Sequence, residues 1–552
     1  MTAWTADPGK GVPAKDQYID GLMCWGQNPA VGGASCDFER RALANLSWLV
    51  CVDLWETETA AFWKPDGLGG TLGIPGRAPG SINTEVFLLP AAASYEKEGS
   101  IVNSGRWSQW RYKALPPPGQ ALDDLSIINK LGKKLIALYQ GDPAGPLSDP
   151  VAKLHWGFYP GTDAHGKNGS SPNGYDDPLN PGHADPHRVA WEMNGYFCPS
   201  AGGGATPGAR VDGFWGPTAA TQTLRENGET SSGNWLYCSH YINPIGGGGG
   251  NTDATAPNGN RQERRDPTDN SGSGIGLYSG WSYCWPLNRR IIYNGASVYQ
   301  PGHPNVGKPL APSKYVISYS AGGTVLDPGC DVPDGYKPPG SAGNRYPFIM
   351  HREGVAHLFG PGRADGPFPE HYEPWETVLT SNIISQTLTS PTNFGHVRPE
   401  AYEHPGHGNP DFPIVGTTYR LSEHWQAGQM TRNLPFQCEL QPDAFVELSE
   451  ELATILGISN GDMVEIKTQR TELYGQRMEA VACVTNRFKP YTIAGGTVHH
   501  IGAIWHFGYT GCCTGHSANL CTAHIGDANT GIPESKAFIC NMRKLPDGLF
   551  LS

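Results

Sequence analysis

GLMCWGQNPAVGGASCDFERRALANLSWLVCVD, residues 21–53, decides how the first part of this chain folds. It opens on a short apolar run, Gly21 to Trp25, with the length of a buried strand. The turn Gly26-Gln27-Asn28-Pro29 and a glycine pair at 32 and 33 follow. Asp37 then opens a helix in which Phe38, Ala42 and Leu46 fall at i, i+4 and i+8, the spacing of one helical face. A second apolar run, Trp48 to Val52, ends at Asp53. Strand, glycine-bearing loop, helix, and strand with a terminal acid is the pattern of a Rossmann-like half. A loop at a helix N-terminus offers free N–H groups and a positive dipole end to phosphate. An acid at the second strand end accepts hydrogen bonds from a ribose or from a guanine N–H edge. The loop is not G-x-G-x-x-G, so a nucleotide cradle and an ordinary βαβ turn both remain open.

Further along, Val86 to Pro90 reads as another buried strand, and Asp123 to Tyr139 as an amphipathic helix. Between them, EGSIVNSGRWSQ at 98–109 gathers an acid, glycines, amides and a guanidinium after a strand and its exit loop. Glycines admit close backbone approach, Asn103 and Gln109 suit a heterocycle edge, and Arg106 suits a phosphate. From about 141 to 400 the chain is rich in Gly, Pro, Asn and Ser, above all at 200–275. That stretch reads as a flexible surface insertion, with a dedicated ligand loop as the alternative. Two denser islands, 278–298 and 346–376, carry aromatics and the pair Arg289-Arg290, which suggests that they pack against something.

The last 150 or so residues change character again. Ser449 is placed to cap a helix through Leu456, with Leu452, Ile455 and Leu456 on one face and Gly457 just past its end. Met463 to Thr468 alternates Val464 and Ile466 with Glu465 and Lys467, as a half-buried strand does, and a second strand runs near Glu479 to Thr485. This is a β-barrel pattern with short helices. Tyr419 to Asn433 mixes aromatics, amides and cations, and Gly526 to Lys536 is a polar loop leading into a final strand, Ala537 to Cys540. Five histidines, at 499, 500, 506, 516 and 524, cluster in sequence, but no ligand spacing repeats. Scattered, hydrogen-bonded histidines are therefore preferred to a metal site. The expected organisation is α/β plus β: a tail at 1–15, an α/β unit at 16–140, a loop-rich insertion and interface region at 141–400, and a barrel at 401–552.

Composition narrows the classes. Of 552 residues, 73 are Gly and 48 Pro, which marks a loop-rich chain, and 16 Trp with 17 Phe argue against overall disorder. A net charge of −12 disfavours nucleic acid as a partner, and no apolar run reaches the roughly 18 residues a membrane span needs. The 13 cysteines contain no C-x-x-C, so zinc ribbons and ferredoxin-type clusters are unsupported, and scattered buried thiols are expected. The N-terminus has no apolar h-region and no twin arginine, so an export signal would sit on another chain or on an upstream segment.

Nine stretches together resemble the C-terminal half of the catalytic (alpha) subunit of molybdopterin-dependent formate dehydrogenases, above all the respiratory, membrane-associated type. They are CWGQNP at 24–29, VDLWETETAAFW at 52–63, TEVFLLP at 84–90 and YEKEGSIVNSGRWSQWRYK at 95–113. WSYCWPLNRRIIYN at 281–294, DGPFPEHYEPWET at 365–377 and GTTYRLSEHWQAGQMTRN at 416–433 follow, then GISNGDMVEI at 457–466 and GDANTGIPESK at 526–536. The order is kept along nearly the whole chain apart from 200–275.

The resemblance implies a bis(molybdopterin guanine dinucleotide) centre with molybdenum or tungsten. It implies that the α/β unit holds one guanine dinucleotide through Gly26, Asn28, Asp53, Asn103, Arg106 and Gln109. A C-terminal barrel of double-psi type would cover the pterins through His424, Trp425, Met430, Thr431, Asn519, Asp527 and Lys536. The activity implied is oxidation of formate to CO2, or its reverse, with electrons leaving through iron–sulfur clusters. Another oxidoreductase of the same superfamily, a non-catalytic pterin-binding or assembly module, and a non-functional remnant are the alternatives.

The family's cysteine cluster for a 4Fe–4S centre, its selenocysteine or cysteine metal ligand with the neighbouring histidine, and its formate-facing arginine motif are not among these residues. The C-terminus, by contrast, has the look of a complete one. The expected partners are therefore the N-terminal half of the alpha subunit as a separate chain, carrying the 4Fe–4S cluster, and an iron–sulfur electron-transfer subunit. No catalytic residue or metal ligand is expected on this chain, which should be inactive alone. The family's respiratory type works outside the cytoplasmic membrane, so the resemblance implies a periplasmic or membrane-associated complex, with a cytoplasmic one as the alternative. Two departures stand out: Ser535 where an aromatic is usual, and a longer hairpin from Gln469 to Arg477.

Overall fold

The computed structural model describes residues 19–64, 78–102, 107–111, 113–140, 370–391, 406–527 and 531–546, with short strands and turns between 175 and 350. The chain divides into two compact units, one of Met1–Pro90 with Phe359–Ser552 and the other of Ala91–Leu358.

The first unit begins with β1 (Gly21–Trp25), a single turn α1 (Pro29–Gly32), α2 (Cys36–Leu43), β2 (Trp48–Asp53) and β3 (Glu85–Pro90). The strands form one parallel sheet in the order β1-β2-β3, with Cys24 opposite Cys51 and Cys51 opposite Leu88. The run at 48–52 is the inner strand, which a parallel sheet buries on both faces, whereas the run at 21–25, expected to be buried, is an edge strand of the described sheet that buries only Cys24 and leaves Met23 40% exposed. Cys24, Leu43, Leu46, Leu49, Cys51 and Phe62 make the core. Leu46 lies past the end of α2 yet joins this core, so the 3.6-residue spacing located the face and overran the helix end. The third strand forms where expected, but it is not buried: it is an edge strand, and Phe87 and Leu88 are 44% and 42% exposed. An apolar run reports strand propensity, whereas burial depends on what covers the edge.

In the second unit, β4 (Gly99–Val102), β5 (Trp107–Arg111) and β6 (Trp281–Tyr283) form an antiparallel sheet in that order. Helix α3 (Asp124–Gln140) starts where the sequence placed it, with the Asp123 carboxylate accepting from Ser126 N at 2.8 Å. Asn129 and Lys133, on successive turns, both donate to Asp176. Strands β7 (Arg290–Ile292), β8 (Val298–Tyr299), β9 (Ile317–Tyr319), β10 (Val325–Asp327), β11 (Asp331–Asp334) and β12 (Tyr346–Met350) make two further three-stranded sheets. The Gly-rich stretch at 200–275 lies outside the described residues.

The rest of the first unit is a closed barrel. Its strands are β13 (Ile414–Tyr419), β14 (Phe445–Ser449), β15 (Met463–Lys467), β16 (Arg477–Thr485), β17 (Tyr491–Ile493), β18 (Gly496–Ile504) and β19 (Phe538–Lys544). The order β13-β19-β15-β16-β14-β18 returns to β13, which pairs with β18, so six strands close and β17 hangs from β18 as a hairpin. Closure removes the free edges that an open sheet would expose. Val446, Leu448, Val464, Ile466, Met478, Ile501, Phe507 and Phe538 fill the interior.

Three short helices connect these strands: α4 (Pro435–Leu440), α5 (Glu450–Leu456) and α6 (Gln469–Tyr474). The cap on α5 forms as read: Ser449 Oγ accepts from Leu452 N at 3.1 Å, and Gly457 adopts φ +67°. Three details differ from the sequence reading. Ile455 is 66% exposed, because Leu452 and Ala453 are the residues turned to the core. Glu465 is buried, since β15 is flanked by β16 and β19 and its carboxylate pairs with Arg477 and Arg543. The long hairpin expected at 469–477 joins the antiparallel pair β15 and β16, but its connection is not an open loop: it carries the capped helix α6, with Thr468 and Thr471 forming a capping box.

Candidate functional site

Barrel topology gathers chemistry at one rim. Strands β13 and β18 run parallel and end together, Tyr419 opposite Ile504, while β19 runs the other way and starts at Phe538 opposite Gly416. Arg420, Trp505 and Lys536 therefore leave the barrel at the same end. Lys536 Nζ donates to Thr418 O at 2.7 Å, and the Arg420 guanidinium lies 4.9 Å over the Trp505 ring. Burial, then the Arg420 charge, pushes the Lys536 amine below its usual value. Neither cation has a carboxylate within ion-pair reach among the described residues. Two like charges held together raise the local demand for an anion. The Trp505 indole N–H is buried there without a partner among the described residues, as is Gln429 Oε1 on the loop that follows β13.

The loop from 421 to 433 forms the next layer. His424 is buried, and its Nε2–H donates to Gln441 O at 2.9 Å. Its Nδ1 meets Thr431 Oγ1 at 3.1 Å, and that hydroxyl also accepts from Trp425 N. These bonds hold the loop in a fixed shape while Trp425 and Met430 stand 59% and 36% exposed beside the rim. His506, fully buried, donates from Nδ1 to Gln426 O at 2.6 Å and accepts at Nε2 from Leu421 N at 2.8 Å. Burial lowers its pKa to about 4, so it is a neutral brace for the loop.

Across from this loop lie the ends of β1 and β2. Gly26 N donates to Val52 O at 2.9 Å, with Gly26 at φ +59°, which turns the chain sharply out of β1. Asp53 closes β2, and burial holds its carboxyl above the usual range, offset in part by the hydrogen bond from Leu54 N. The Asn28 amide is directed inward: Nδ2 donates to Glu58 Oε2 at 2.6 Å, and Oδ1 accepts from Thr59 N and Thr59 Oγ1. Glu58 in turn takes Arg432 Nη2 at 2.6 Å, and both side chains are 0% exposed. Arg432 also donates to the carbonyls of His506 and Thr510, and Thr510 N to Glu58 Oε1. One ion pair thus locks the β1–α1 loop to the barrel loop of Trp425 and Met430. A Cβ on Gly508 would sit 2.2 Å from Glu58 Oε1, so only glycine lets the chain pass there.

The sequence-derived residues are placed as follows. Gly26, Asn28 and Asp53 lie together at the sheet's C-terminal edge, and His424, Trp425, Met430, Thr431 and Lys536 at the barrel rim. Asn519 is buried, donating to Val31 O at 2.8 Å, so it ties the barrel to α1. The backbone of Asp527 holds the turn of the 526–533 loop through Ile532 O and Gly531 N. Gln109 lies on β5 in the other unit, while Asn103 and Arg106 fall outside the described residues. Of the islands at 278–298 and 346–376, only short strands and the stretch from 370 are described. Arg420, Gln429, Trp505, Glu58 and Arg432 were missed, whereas His506, named among the clustered histidines, is hydrogen-bonded as preferred. Glu58 and Arg432 were within stretches already singled out, as opposite charges amid apolar residues, but they are 374 positions apart and no periodicity links them.

The donor set fits an anionic, heterocyclic group. Arg420 and Lys536 suit phosphate, Gln429 Oε1 and Trp505 Nε1 suit the polar edge of a ring, and Trp425 offers a ring face. Comparisons with known proteins agree. Residues 414–539, the barrel from β13 into β19, match the family Molydopterin dinucleotide binding domain, and residues 87–134 match Molybdopterin oxidoreductase.

Its homologues include alpha subunits of formate dehydrogenases. It is 40% identical over 95% of its length to formate dehydrogenase subunit alpha of Megalodesulfovibrio gigas, and likewise to formate dehydrogenase 2 subunit alpha (cytochrome c-553) of Nitratidesulfovibrio vulgaris. It is 35% identical, again over 95%, to the nitrate-inducible formate dehydrogenase major subunit of Escherichia coli. The chain spans 46% of the length of each of these relatives.

Proposed function

We propose that this chain is the cofactor-binding part of a formate dehydrogenase alpha subunit. The observation that carries the reading is the barrel rim, where Arg420 and Lys536 have no carboxylate partner and the Trp505 N–H no acceptor among the described residues. It binds bis(molybdopterin guanine dinucleotide) with molybdenum or tungsten. The Rossmann-like sheet with Gly26 and Asp53 takes a guanine dinucleotide. The barrel, of double-psi type, takes the pterin end through Trp425, Met430, Arg420 and Lys536. Asn28, His424, Thr431 and Asn519 act by shaping the loops around it.

When bound, the group supplies the two-electron redox chemistry that no side chain can. This chain's residues neutralise phosphate, orient the ring edges and keep water from the buried faces. A companion segment, the N-terminal half of the subunit, carries the 4Fe–4S cluster and the selenocysteine or cysteine metal ligand, and an iron–sulfur subunit accepts the electrons. Formate oxidation to CO2 then belongs to the assembly. Acid release of GMP and metal analysis on the purified assembly test this: two guanine nucleotides per chain are expected, and an absence of GMP overturns the reading. Formate-dependent dye reduction should need the companion segment, and activity of the isolated, loaded chain would refute the division of labour.

A further inference from the structure

We propose that the strap His371–Thr377 positions Lys536, with Glu376 and Glu534 as positioning residues that set where the rim presents its cation. The strap, HYEPWET, closes one of the motifs that carry the resemblance. Pro374 biases Glu373 to extended backbone, and Glu373 bridges Thr389 in parallel. Asn382 Nδ2 and Ser385 Oγ both donate to His371 O, at 2.9 and 2.8 Å, which fixes the near end. The next two contacts come from consecutive residues. Trp375 N donates to Glu534 Oε2 at 2.9 Å. Glu376 takes Arg470 on both carboxylate oxygens, at 2.6 and 3.0 Å, and its Oε2 also accepts from Ile539 N at 3.1 Å. Water is excluded from that pair, whose side chains are 1% and 2% exposed. Arg470 itself comes from the first turn of α6, within the connection that is longer than the resemblance leads one to expect.

Lys536 lies between these two anchors, Glu534 before it and Ile539 after it in the chain. A third tie falls between them: Thr418 Oγ1 donates to Ser535 O at 2.8 Å, while Thr418 O accepts the Lys536 ammonium at 2.7 Å. Lys536 is exposed, and a lysine on an unheld loop spreads over many rotamers, each of which must be given up when an anion binds. Gripping the backbone on both sides removes part of that cost beforehand, which is preorganisation. The consequence for cofactor binding rests on the rim reading above; the placement of Lys536 does not.

The test compares Glu534→Ala with Glu534→Gln in the full chain. Both remove the same charge, but the glutamine Oε1 still accepts from Trp375 N, so a difference between them reports the lost grip. Competitive acetylation across pH, read by mass spectrometry, titrates the Lys536 amine without any cofactor, with exposed Lys489 as internal reference. The strap holds the amine where burial, then the Arg420 charge, lowers its pKa. The Ala variant should therefore titrate higher than the Gln variant at Lys536 and identically at Lys489. Equal Lys536 titrations in the two variants overturn the proposal. In the purified assembly, Glu534→Ala should weaken retention of the GMP-bearing group about tenfold, and Glu534→Gln should restore it. Lys536→Ala, measured alongside, separates the two claims: full GMP in that variant refutes the rim reading, while the labelling still decides whether the strap places Lys536.

Discussion

Replacing Arg432 with Met removes one partner of a pair from which water is wholly excluded, since both side chains of the pair are 0% exposed. Glu58 then keeps only the N–H bonds from Asn28 and Thr510, and the carbonyls of His506 and Thr510 lose their donor. Stranding a buried charge in this way costs about 3–5 kcal/mol. For a unit the size of Met1–Pro90 with Phe359–Ser552, at roughly 2.1 cal/mol/K per residue, that lowers its melting midpoint by about 5–8 °C. Glu58→Gln, nearly isosteric, strands the guanidinium instead and should fall in the same range. The double variant Glu58→Leu with Arg432→Met removes both charges and should recover a large part of the loss. Scanning calorimetry on the four proteins closes the cycle. An Arg432→Met midpoint within about 1 °C of the parent, or a double variant as poor as the sum of both singles, would refute the claim that this pair joins the sheet to the barrel.

The remaining predictions use other parts of the site. His506 has a folded pKa of about 4 against about 6.5 unfolded, so the unfolded state binds more protons in between; stability should fall by about 3 kcal/mol as pH drops through that window. Urea titrations from pH 7 to 4 should show this slope in the parent and its loss in His506→Gln. Gly508→Ala should cost about 1–3 kcal/mol, because the new methyl meets Glu58 and Arg432, while Gly80→Ala, with open space around it, should change little; urea midpoints decide. Lys536→Ala should reduce GMP and metal content without changing the circular dichroism, by loss of a charge-assisted contact worth about 1.5–3 kcal/mol. Full cofactor content in that variant would count against the rim as the binding surface.

Local pattern settled what depends on neighbours in sequence. The strands at 21–25 and 48–53, the cap at Ser449, the stop at Gly457 and the strand at 463–467 were legible because turn, cap and periodicity are short-range effects. The exposure of β3, the burial of Glu465 and the outward face of Ile455 were not, because burial is set by whichever distant strand lies alongside. The same limit governs the site. Motif residues such as Trp425, Met430 and Lys536 were readable by type and by resemblance, and Asn28 by its place in the turn. What Asn28 does was not: its amide points into Glu58, a contact 30 residues away in the chain. Arg420 meets Trp505 and Lys536 only because β13 and β18 end together and β19 begins beside them. Sequence alone fixed which residue types could bind a charged heterocycle, since those are properties of side chains. Closure of the barrel chose which of them face one another, since that depends on pairings between strands more than 80 residues apart.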